Sequence, residues 1–491
     1  MTMEQDRGHL ERSGDVLIGH DELGSRLSSA IRDDGVPGAQ IGVVAPDARG
    51  RLRYDMACAG VTNTDTGYPV LEDTLFQIGS ISKIWTTVLA MQLVDEGRLS
   101  LDAKVHDLLP EFSIRDSPEN TAGCTVRQLM NHTSGIEGDA FPDLGRGDDC
   151  VGRYVRYIGG FPARTPLGGP LSYSNGAFVV LGRIVEKLRG TTWDQALRDH
   201  IARPAGLGRT WTLPEDVIRF SAALGHIRAI PADRPVFPAP VKPSPIWQLP
   251  RCSGPCGSVS ASMGDLLAFA SLFLAGGLAP NGVRLLSEEA CQAMTTETVS
   301  LRDQGVENVG WGLGWQLPNW GDEPAYGHGG ATEGQRAKIV VFPRRRVIMA
   351  VLANSQGGSE MAADLVSSLA KDAGIGVPLV LHVSDEPISV DEARRVAGTY
   401  SRFETEFRMI PGGLSGLTGV FEPDPDDGDA GVRVSVPIRR TREGFFAVRF
   451  PRDREATELA FIDGPQGVMY AAMGHRVTRR VSVDTDVPEP A

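Results

Sequence analysis

Residues 76–94 read FQIGSISKIWTTVLAMQLV, and the rest of the chain is organised around them. A glycine precedes Ser80 at the point where the pattern predicts that a helix begins, and the following residues are apolar on nearly every side. A helix that is apolar all round is buried, so we expect a central helix in the protein core. Ser80 and Lys83 stand three residues apart, which places both side chains on one helical face, one turn apart.

The pair has the chemistry of an activated nucleophile. Unpaired N–H groups and positive potential at a helix start favour an oxyanion over a neutral hydroxyl at Ser80. The same potential, together with burial, favours an uncharged Lys83 amine that accepts a proton. Only six of the 49 lysine and arginine residues are lysines, so a lysine inside an apolar helix requires a reason.

A second Ser-x-x-Lys pattern, Ser368 to Lys371, shows that the pattern also occurs without function. There the serine is expected in mid-helix and the lysine near the C-terminal end, where a solvated cation is stable. We interpret this copy as structural. The pattern alone therefore does not decide whether Ser80 and Lys83 are catalytic.

Composition limits the classes of function. With 491 residues the chain has room for two or three domains, and 41% hydrophobic with 23% charged residues is typical of a soluble globular protein. A net charge of −13 argues against nucleic acid and anionic membrane surfaces as partners. Residues 1–14 lack the apolar core of a signal peptide, and the most hydrophobic run, Leu266 to Ala279, is too short to cross a bilayer. We therefore predict a cytoplasmic protein.

The six cysteines are too few for a disulfide framework. Cys252 and Cys256 resemble half of a metal clip, but no second Cys or His pair lies nearby in the sequence. We predict neither a metal nor another cofactor.

Two further stretches strengthen the case for Ser80. One is Leu171-Ser172-Tyr173-Ser174-Asn175, which contains a Tyr-x-Asn pattern ahead of a predicted helix. A tyrosine beside an ammonium group can relay a proton between nucleophile and leaving group. The amide of Asn175 can bind both a substrate carbonyl and the lysine. Taken alone, Tyr173 is better interpreted as a core tyrosine whose hydroxyl has a hydrogen-bond partner.

The other stretch is Tyr326-Gly327-His328-Gly329-Gly330-Ala331, which precedes two apolar strands. Paired glycines allow a substrate to approach the backbone of an edge strand. The two strands, 339–342 and 347–352, are too uniformly apolar for an exposed sheet, so we expect helices to cover both faces.

Together these stretches resemble the serine β-lactamase and penicillin-binding-protein superfamily, in particular its class C β-lactamase-like branch of esterases, D-amino-acid peptidases and transacylases. The motifs that carry the resemblance follow the family order between about Leu23 and Ala370: Val36-Pro37-Gly38, Phe76 to Lys83, Glu96-Gly97-Arg98-Leu99-Ser100-Leu101-Asp102, His132-Thr133-Ser134-Gly135, Tyr173-Ser174-Asn175, Gly257-Ser258-Val259-Ser260 with Asp265, Gly312-Leu313-Gly314-Trp315 and His328-Gly329-Gly330. Each motif is weak alone, but the order and spacing are specific.

The resemblance implies a role for each site residue. Ser80 attacks a carbonyl to form an acyl-enzyme, Lys83 and Tyr173 carry the proton, and Asn175 orients the lysine and the substrate. The N–H groups of Ser80 and Ala331 would bind the oxyanion, and losing one such donor typically costs on the order of 10²–10³ in rate.

His328 and Gly330 stand in the motif where β-lactamases and transpeptidases carry Lys-Thr-Gly. Because a permanent cation is missing there, the resemblance favours neutral esters, amides or thioesters over substrates with a recognised carboxylate.

For the fold, the resemblance implies an α/β (α+β) architecture, in which an antiparallel sheet of the β-lactamase/transpeptidase type is flanked by helices and interrupted by a helical insert. From about Val377 the sequence pattern changes to short segments in which apolar and polar residues alternate, which predicts β-strands. This region resembles the lipocalin-like β-barrel that is appended to some members of this branch. We predict no catalytic residue in it. The predicted boundaries are a leader at 1–20, the catalytic domain at 21–376, a linker at 377–390, the barrel at 391–483 and a tail at 484–491.

We therefore predict a serine acyl-hydrolase or acyltransferase that acts on a small-molecule or peptide substrate, with water or an amine as acceptor. The arginine-rich, lysine-poor composition indicates a GC-rich genome and favours specialised metabolism such as antibiotic biosynthesis. Alternatives are a peptide-releasing or cyclising thioesterase, a D-amino-acid peptidase, or a non-catalytic sensor or scaffold. A metal-dependent hydrolase has less support. Oligomeric state, acyl group and acceptor are left open by the sequence.

Overall fold

The computed structural model describes residues 19–229, 238–301, 309–378, 381, 383–422, 433–441, 445–451, 454 and 456–483. The predicted leader, apart from its last two residues, and the predicted tail lie outside these ranges, as does part of the predicted linker. The remaining domain boundaries stay predictions.

The strands that precede the barrel are β1 (Gly38–Pro46), β2 (Leu52–Gly60), β3 (Phe76–Gln77), β4 (Thr210–Trp211), β5 (His226–Arg228), β6 (Val241–Pro243), β7 (Ser260–Ala261), β8 (Val299–Ser300), β9 (Val309–Trp311), β10 (Gln316–Pro318), β11 (Tyr326–Thr332), β12 (Gln335–Phe342) and β13 (Val347–Ala353). Eight of them form one sheet in the order β2-β1-β13-β12-β11-β10-β9-β8, and every pairing in it is antiparallel. Strands β3, β7 and β4 form a small second sheet beside the helices, and β5 pairs with β6.

The α-helices are α1 (His20–Asp33), α2 (Ser82–Asp95), α3 (Val105–Leu108), α4 (Pro118–Gly123), α5 (Val126–Met130), α6 (Cys150–Ile158), α7 (Asn175–Arg189), α8 (Trp193–Leu197), α9 (Arg203–Ala205), α10 (Pro214–Val217), α11 (Gly254–Gly257), α12 (Met263–Leu274), α13 (Glu288–Thr295), α14 (Gly358–Asp372) and α15 (Val390–Val396). A π-helical turn at Arg198–Ala202 joins α8 to α9.

Helices cover both faces of the main sheet, as the apolar strands predict. On one face, residues such as Ile41 and Val351 pack with α1 and α14. On the other face, residues such as Ile339 and Leu352 join the larger core formed by α2, α7 and α12. The prediction of an antiparallel sheet flanked by helices is confirmed, and strand β11 of this sheet contacts the turn that carries the serine.

Helix α2 lies at the centre of the larger core. Every residue from Ser82 to Leu93 is buried, because helices α7, α8, α11 and α13 pack around α2. Trp85 stacks on Phe269 of α12 with ring centroids 3.7 Å apart. The first turn of α2 is therefore held in place by packing on all sides.

The C-terminal region forms a closed antiparallel barrel of eight strands in sequence order, which confirms the predicted barrel. Its strands are β14 (Gly398–Arg402), β15 (Thr405–Pro411), β16 (Leu417–Phe421), β17 (Val434–Arg440), β18 (Phe446–Val448), β19 (Thr457–Asp463), β20 (Met469–Met473) and β21 (Arg476–Ser482). Closure leaves no unpaired sheet edge.

Two barrel strands, β14 and β16, were not predicted as strands from the sequence pattern. Strand β16 contains Gly419, which weakens a strand signal. A side chain there would meet the ring of Phe421, since a Cβ on Gly419 would lie 2.7 Å from it. The glycine makes room for core packing rather than marking a turn.

Among the residues described, none of the helices is both long and apolar enough to cross a membrane.

We expect Leu89→Ala, in the middle of α2, to lower the free energy of unfolding by about 2–5 kcal/mol, because Leu89 is completely buried and its removal leaves a cavity. Leu188→Ala is the matched control, since Leu188 packs only partly buried at the margin of the same core. Urea unfolding followed by tryptophan fluorescence measures both, because all seven tryptophans lie between residues 85 and 320. Equal losses in the two variants would contradict the central position of α2.

Candidate active site

Ser80 lies in a short 3₁₀ turn, Gly79–Ile81, and α2 begins two residues later at Ser82. The predicted helix start is thus a tighter turn than the sequence pattern indicated. Gly79 adopts φ +51°, a left-handed conformation that favours glycine. A Cβ at this position would also lie 2.5 Å from the backbone nitrogen of Ala331. Glycine before Ser80 therefore allows both the turn and the close approach of β11.

Lys83 is fully buried and has three oxygen neighbours. Its Nζ lies 3.1 Å from Ser80 Oγ, 2.6 Å from Asn175 Oδ1 and 2.8 Å from the carbonyl oxygen of Cys256. An uncharged amine has two hydrogens and one lone pair. If Asn175 and Cys256 accept the two hydrogens, the lone pair points at the Ser80 hydroxyl, which is the arrangement that a base requires.

Tyr173 lies beside the lysine. Its ring centroid is 4.8 Å from Lys83 Nζ, and the ring stacks on His132 at a centroid distance of 4.4 Å. Its hydroxyl is buried and has no hydrogen-bond partner among the described residues. A buried phenol without a partner costs free energy, so this hydroxyl is available for a substrate or a transferred proton.

Asn175 is the first residue of α7, and Ser174 caps that helix through a bond from the N–H of Ala177 to its Oγ. The cap fixes where the helix starts and hence the position of Asn175 on it. One end of this amide accepts from Lys83, and the other, Nδ2, lies 3.4 Å from Asp139 Oδ1.

Strand β11 passes directly beside the serine turn. A Cβ on Gly330 would lie 1.9 Å from the carbonyl oxygen of Ile78 and 3.3 Å from the nitrogen of Ser80. Together with the contact between Gly79 and Ala331, this places the backbone nitrogens of Ser80 and Ala331 close to each other. Backbone donors in this arrangement are suited to an oxyanion.

His328 points into the same region from β11. Burial lowers the pKa of His328 to about 3, so its imidazole is neutral at neutral pH. Its Nδ1 contacts the carbonyl oxygen of Gly329, and its Nε2 is buried without a partner among the described residues. His328 therefore supplies a neutral polar group rather than a cation.

A cavity of about 320 Å³ opens at Ser80. It is lined by the predicted residues Ser80, Tyr173, His328, Gly330 and Ala331, by Gln316, Gly329, Ala337, Lys338, Ser359 and Ala362, and by Gly474, His475 and Arg476. Lys83 and Asn175 lie behind its wall, bonded to each other. All seven predicted site residues are therefore brought together. Another cavity, of about 350 Å³ beside Trp211, contains none of them.

The sequence prediction missed the aromatic support of Tyr173. His132 stacks on it, and Trp311 meets both rings edge-on. Burial holds the pKa of His132 well below its usual value, and the residue adopts φ +62°. Its Nδ1 accepts the N–H of Ser174 at 3.0 Å, which ties it to the Tyr-x-Asn segment. The motif containing His132 was visible in the sequence, but its partner was not.

The sequence prediction also assigned no site residue to the barrel, whereas its β20–β21 hairpin lines the cavity. The carbonyl of His475 accepts the Tyr173 N–H at 2.8 Å. Arg476 lies over the Tyr173 ring, 5.1 Å from the centroid. The signal for this contact, a Gly-His-Arg turn between two short strands, is too common to have been recognised.

The second Ser-x-x-Lys pattern has a different setting. Ser368 and Lys371 lie on the exposed side of α14. Ser368 Oγ accepts a bond from Arg26.

Cys252 and Cys256 are buried free thiols. Within the ranges that the structure describes, no group of three or more His, Cys, Asp or Glu residues is placed to hold a metal ion.

Comparison with known proteins identifies relatives over most of the chain. The family model described as Beta-lactamase matches residues 23–371. Penicillin-binding protein 4 of Amycolatopsis lactamdurans is 38% identical over 386 residues, which are 78% of this chain and 98% of that protein. Esterase EstB of Burkholderia gladioli is 32% identical over 181 residues, 34% of this chain and 46% of the esterase.

Solved structures extend the likeness to the barrel. The crystal structure of SurE superposes with a TM-score of 0.74 at 25% identity, over 94% of this chain and 99% of SurE. A D-amino acid amidase from Ochrobactrum anthropi superposes with a TM-score of 0.58 at 21% identity, over 72% of this chain and 96% of the amidase, and shares the fold. The family model, the 38% identical relative and the ordered motifs around Ser80 lead to one conclusion: this chain belongs to the β-lactamase and penicillin-binding-protein family of serine hydrolases.

Proposed function

We propose that the protein is a serine acyl-hydrolase or acyltransferase that works through an ester on Ser80. The observation that carries the proposal is the buried Lys83 amine, 3.1 Å from Ser80 Oγ and held by Asn175 and Cys256. A lysine amine at hydrogen-bond distance from a serine hydroxyl meets the geometric requirement for a general base, and the family is one of serine hydrolases.

In the proposed acylation, Ser80 Oγ attacks the carbonyl carbon of an ester, amide or thioester while its proton passes to the Lys83 amine. The N–H groups of Ser80 and Ala331 bind the resulting oxyanion. The bond to the leaving group then breaks, and the leaving group takes the proton through the Tyr173 phenol. Water or an amine attacks the acyl-Ser80 ester, its proton returns by the same route, and the acid or amide leaves with the serine restored.

The histidines of the site are poor candidates for the base. Burial lowers the pKa of His328 to about 3 and holds that of His132 well below its ordinary value. Among the hydrogen bonds that the structure describes, Ser80 Oγ is bonded to Lys83 and to neither histidine. The nearest alternative function is a non-catalytic scaffold, and the complete Ser80, Lys83 and Tyr173 set argues against it.

For the substrate, we propose an acyl donor of peptide character with a D-configured residue, in specialised metabolism. Support comes from SurE, which was solved with D-Leu, and from penicillin-binding protein 4. The cavity of about 320 Å³ has room for one or two residues at Ser80.

A fluorophosphonate is expected to form one covalent adduct, on Ser80, because Ser80 Oγ lies 3.1 Å from the Lys83 amine. Ser368 instead contacts the guanidinium of Arg26, which cannot accept a proton. Intact-mass spectrometry with peptide mapping measures the adduct. Ser80→Ala removes it, and Ser368→Ala, the matched control in the exposed Ser-x-x-Lys copy, keeps it. An adduct that survives in Ser80→Ala would contradict the proposed nucleophile.

Replacing Lys83 by Met should slow acylation of Ser80 by roughly 10²–10⁴, since the proton has no other acceptor at that distance. The burst rate with a p-nitrophenyl ester measures this. Lys371→Met, which removes the exposed lysine of the second copy, should leave the rate unchanged, and circular dichroism checks that both variants fold. If Lys83→Met retains the wild-type burst, another group is the base.

The donor preference is tested with D- and L-amino-acid amides, esters and peptidyl thioesters, each with and without an amine acceptor. We expect faster acylation by D-configured donors, and the ratio of amide to acid product identifies the acceptor. Chromatography with mass detection measures the products, and Ser80→Ala gives the background. Equal rates for both configurations would contradict the proposed substrate class.

A further inference from the structure

One carboxylate links the barrel to the catalytic lysine. Asp139 lies in the segment between α5 and α6, and its side chain is largely buried. Two barrel arginines bind it. Arg476 of β21 donates to both carboxylate oxygens, at 2.7 and 2.8 Å, and Arg402 of β14 donates to Oδ2. Bidentate arginine–carboxylate bonds are directional and strong, so the barrel fixes the position of this carboxylate.

Asp139 is ionised at any pH near neutrality. Burial opposes the charge, but the guanidinium groups of Arg476 and Arg402 outweigh it and lower the pKa of Asp139 to about 2. The carboxylate therefore presents only acceptors to its neighbours.

Its third neighbour is Asn175, whose Nδ2 lies 3.4 Å from Asp139 Oδ1. An asparagine amide has a donor end and an acceptor end of almost equal shape. A fixed carboxylate attracts the donor end and repels the acceptor end, so the acceptor Oδ1 must turn the other way. There it meets Lys83 Nζ at 2.6 Å.

The direction of the amide decides what the lysine can do. With Oδ1 towards it, Lys83 Nζ donates to Asn175 and to Cys256, and its remaining position contacts Ser80 Oγ at 3.1 Å. In the uncharged amine that the proposed function requires, this remaining position is the lone pair. With the amide reversed, Nδ2 would compete with the serine hydroxyl for that lone pair. Misdirection of this kind in a positioned base typically costs about 10²-fold in rate.

We propose that Asp139 is a positioning residue, held by Arg402 and Arg476 of the barrel, that orients the Asn175 amide so that Lys83 activates Ser80. The barrel is then part of the catalytic apparatus rather than an appended module. This inference rests on the proposed function, because the quantity that it concerns is the reactivity of Ser80.

Asp34 provides a matched control. It is a buried carboxylate of the same domain that accepts from a barrel arginine, Arg454, which also bonds Glu360. The structure gives it no bond to Asn175 or Lys83. Asp34→Asn thus weakens the attachment of the barrel in the same chemical way without touching the chain of bonds that leads to the lysine.

The test measures the rate of fluorophosphonate labelling of Ser80 in the full-length chain, with thermal unfolding as the check on folding. We expect Asp139→Asn to slow labelling by about 10–100-fold and Asp34→Asn by about twofold or less. Steady-state ester hydrolysis should show the loss in kcat, with KM nearly unchanged. Asp139→Glu, which keeps the charge, should restore part of the rate and serves as the second variant if Asp139→Asn does not fold.

A double-mutant cycle separates positioning from a general structural effect. If Asp139 acts through the amide, Asp139→Asn causes almost no further loss in an Asn175→Ala background. Three outcomes would each overturn this inference while leaving the proposed function intact. They are a wild-type labelling rate in Asp139→Asn, equal losses of rate in Asp139→Asn and Asp34→Asn, and independent losses in the double-mutant cycle. A wild-type protein that is not labelled at Ser80 would overturn the proposed function, and this inference with it.

Discussion

A lysine amine with no access to water is the feature on which the rest of the site depends. Lys83 is completely buried, and its Nζ reaches only oxygen atoms: a hydroxyl, an amide carbonyl and a backbone carbonyl. Burying an amine is costly unless its partners are fixed. The serine turn and helices α7 and α11 supply those partners, and the packing of α7 and α11 against α2 in the larger core keeps them at hydrogen-bond distance. The packing around α2 therefore contributes both to the stability of the core and to the reactivity proposed for Ser80.

Close backbone packing determines the part of the site that is proposed to bind the oxyanion. Gly79 and Gly330 face each other closely enough that a methyl group on either would overlap the opposite backbone. The serine turn and strand β11 therefore lie in direct contact, and this backbone contact places the nitrogens of Ser80 and Ala331 close to each other. Because both groups belong to rigid elements, their spacing does not have to be created when a substrate binds.

The barrel has a larger part than its position in the sequence indicates. Its β20–β21 hairpin lines the cavity, and His475 and Arg476 contact Tyr173 through a hydrogen bond and a guanidinium–ring contact. The paired strands β14 and β21 both send an arginine to Asp139. The barrel thus places three groups, the His475 carbonyl and the guanidinium groups of Arg402 and Arg476, around one tyrosine and one aspartate of the other domain.

The amino-acid sequence was enough to predict the family, the antiparallel sheet flanked by helices, the barrel, and the seven residues from Ser80 to Ala331 that meet at or behind the cavity. These follow from local pattern: a uniformly apolar helix after Gly79-Ser80, two apolar strands after His328, and motifs in family order. Only the tertiary structure decided that Asp139, His132 and the Gly474–Arg476 hairpin join the site. Their contacts connect segments that are up to several hundred residues apart, and a lone Asp, His or Arg in a loop carries no local pattern that indicates its partner. Periodicity and turn chemistry report on neighbours along the chain, whereas side-chain contacts between domains depend on how the finished elements pack.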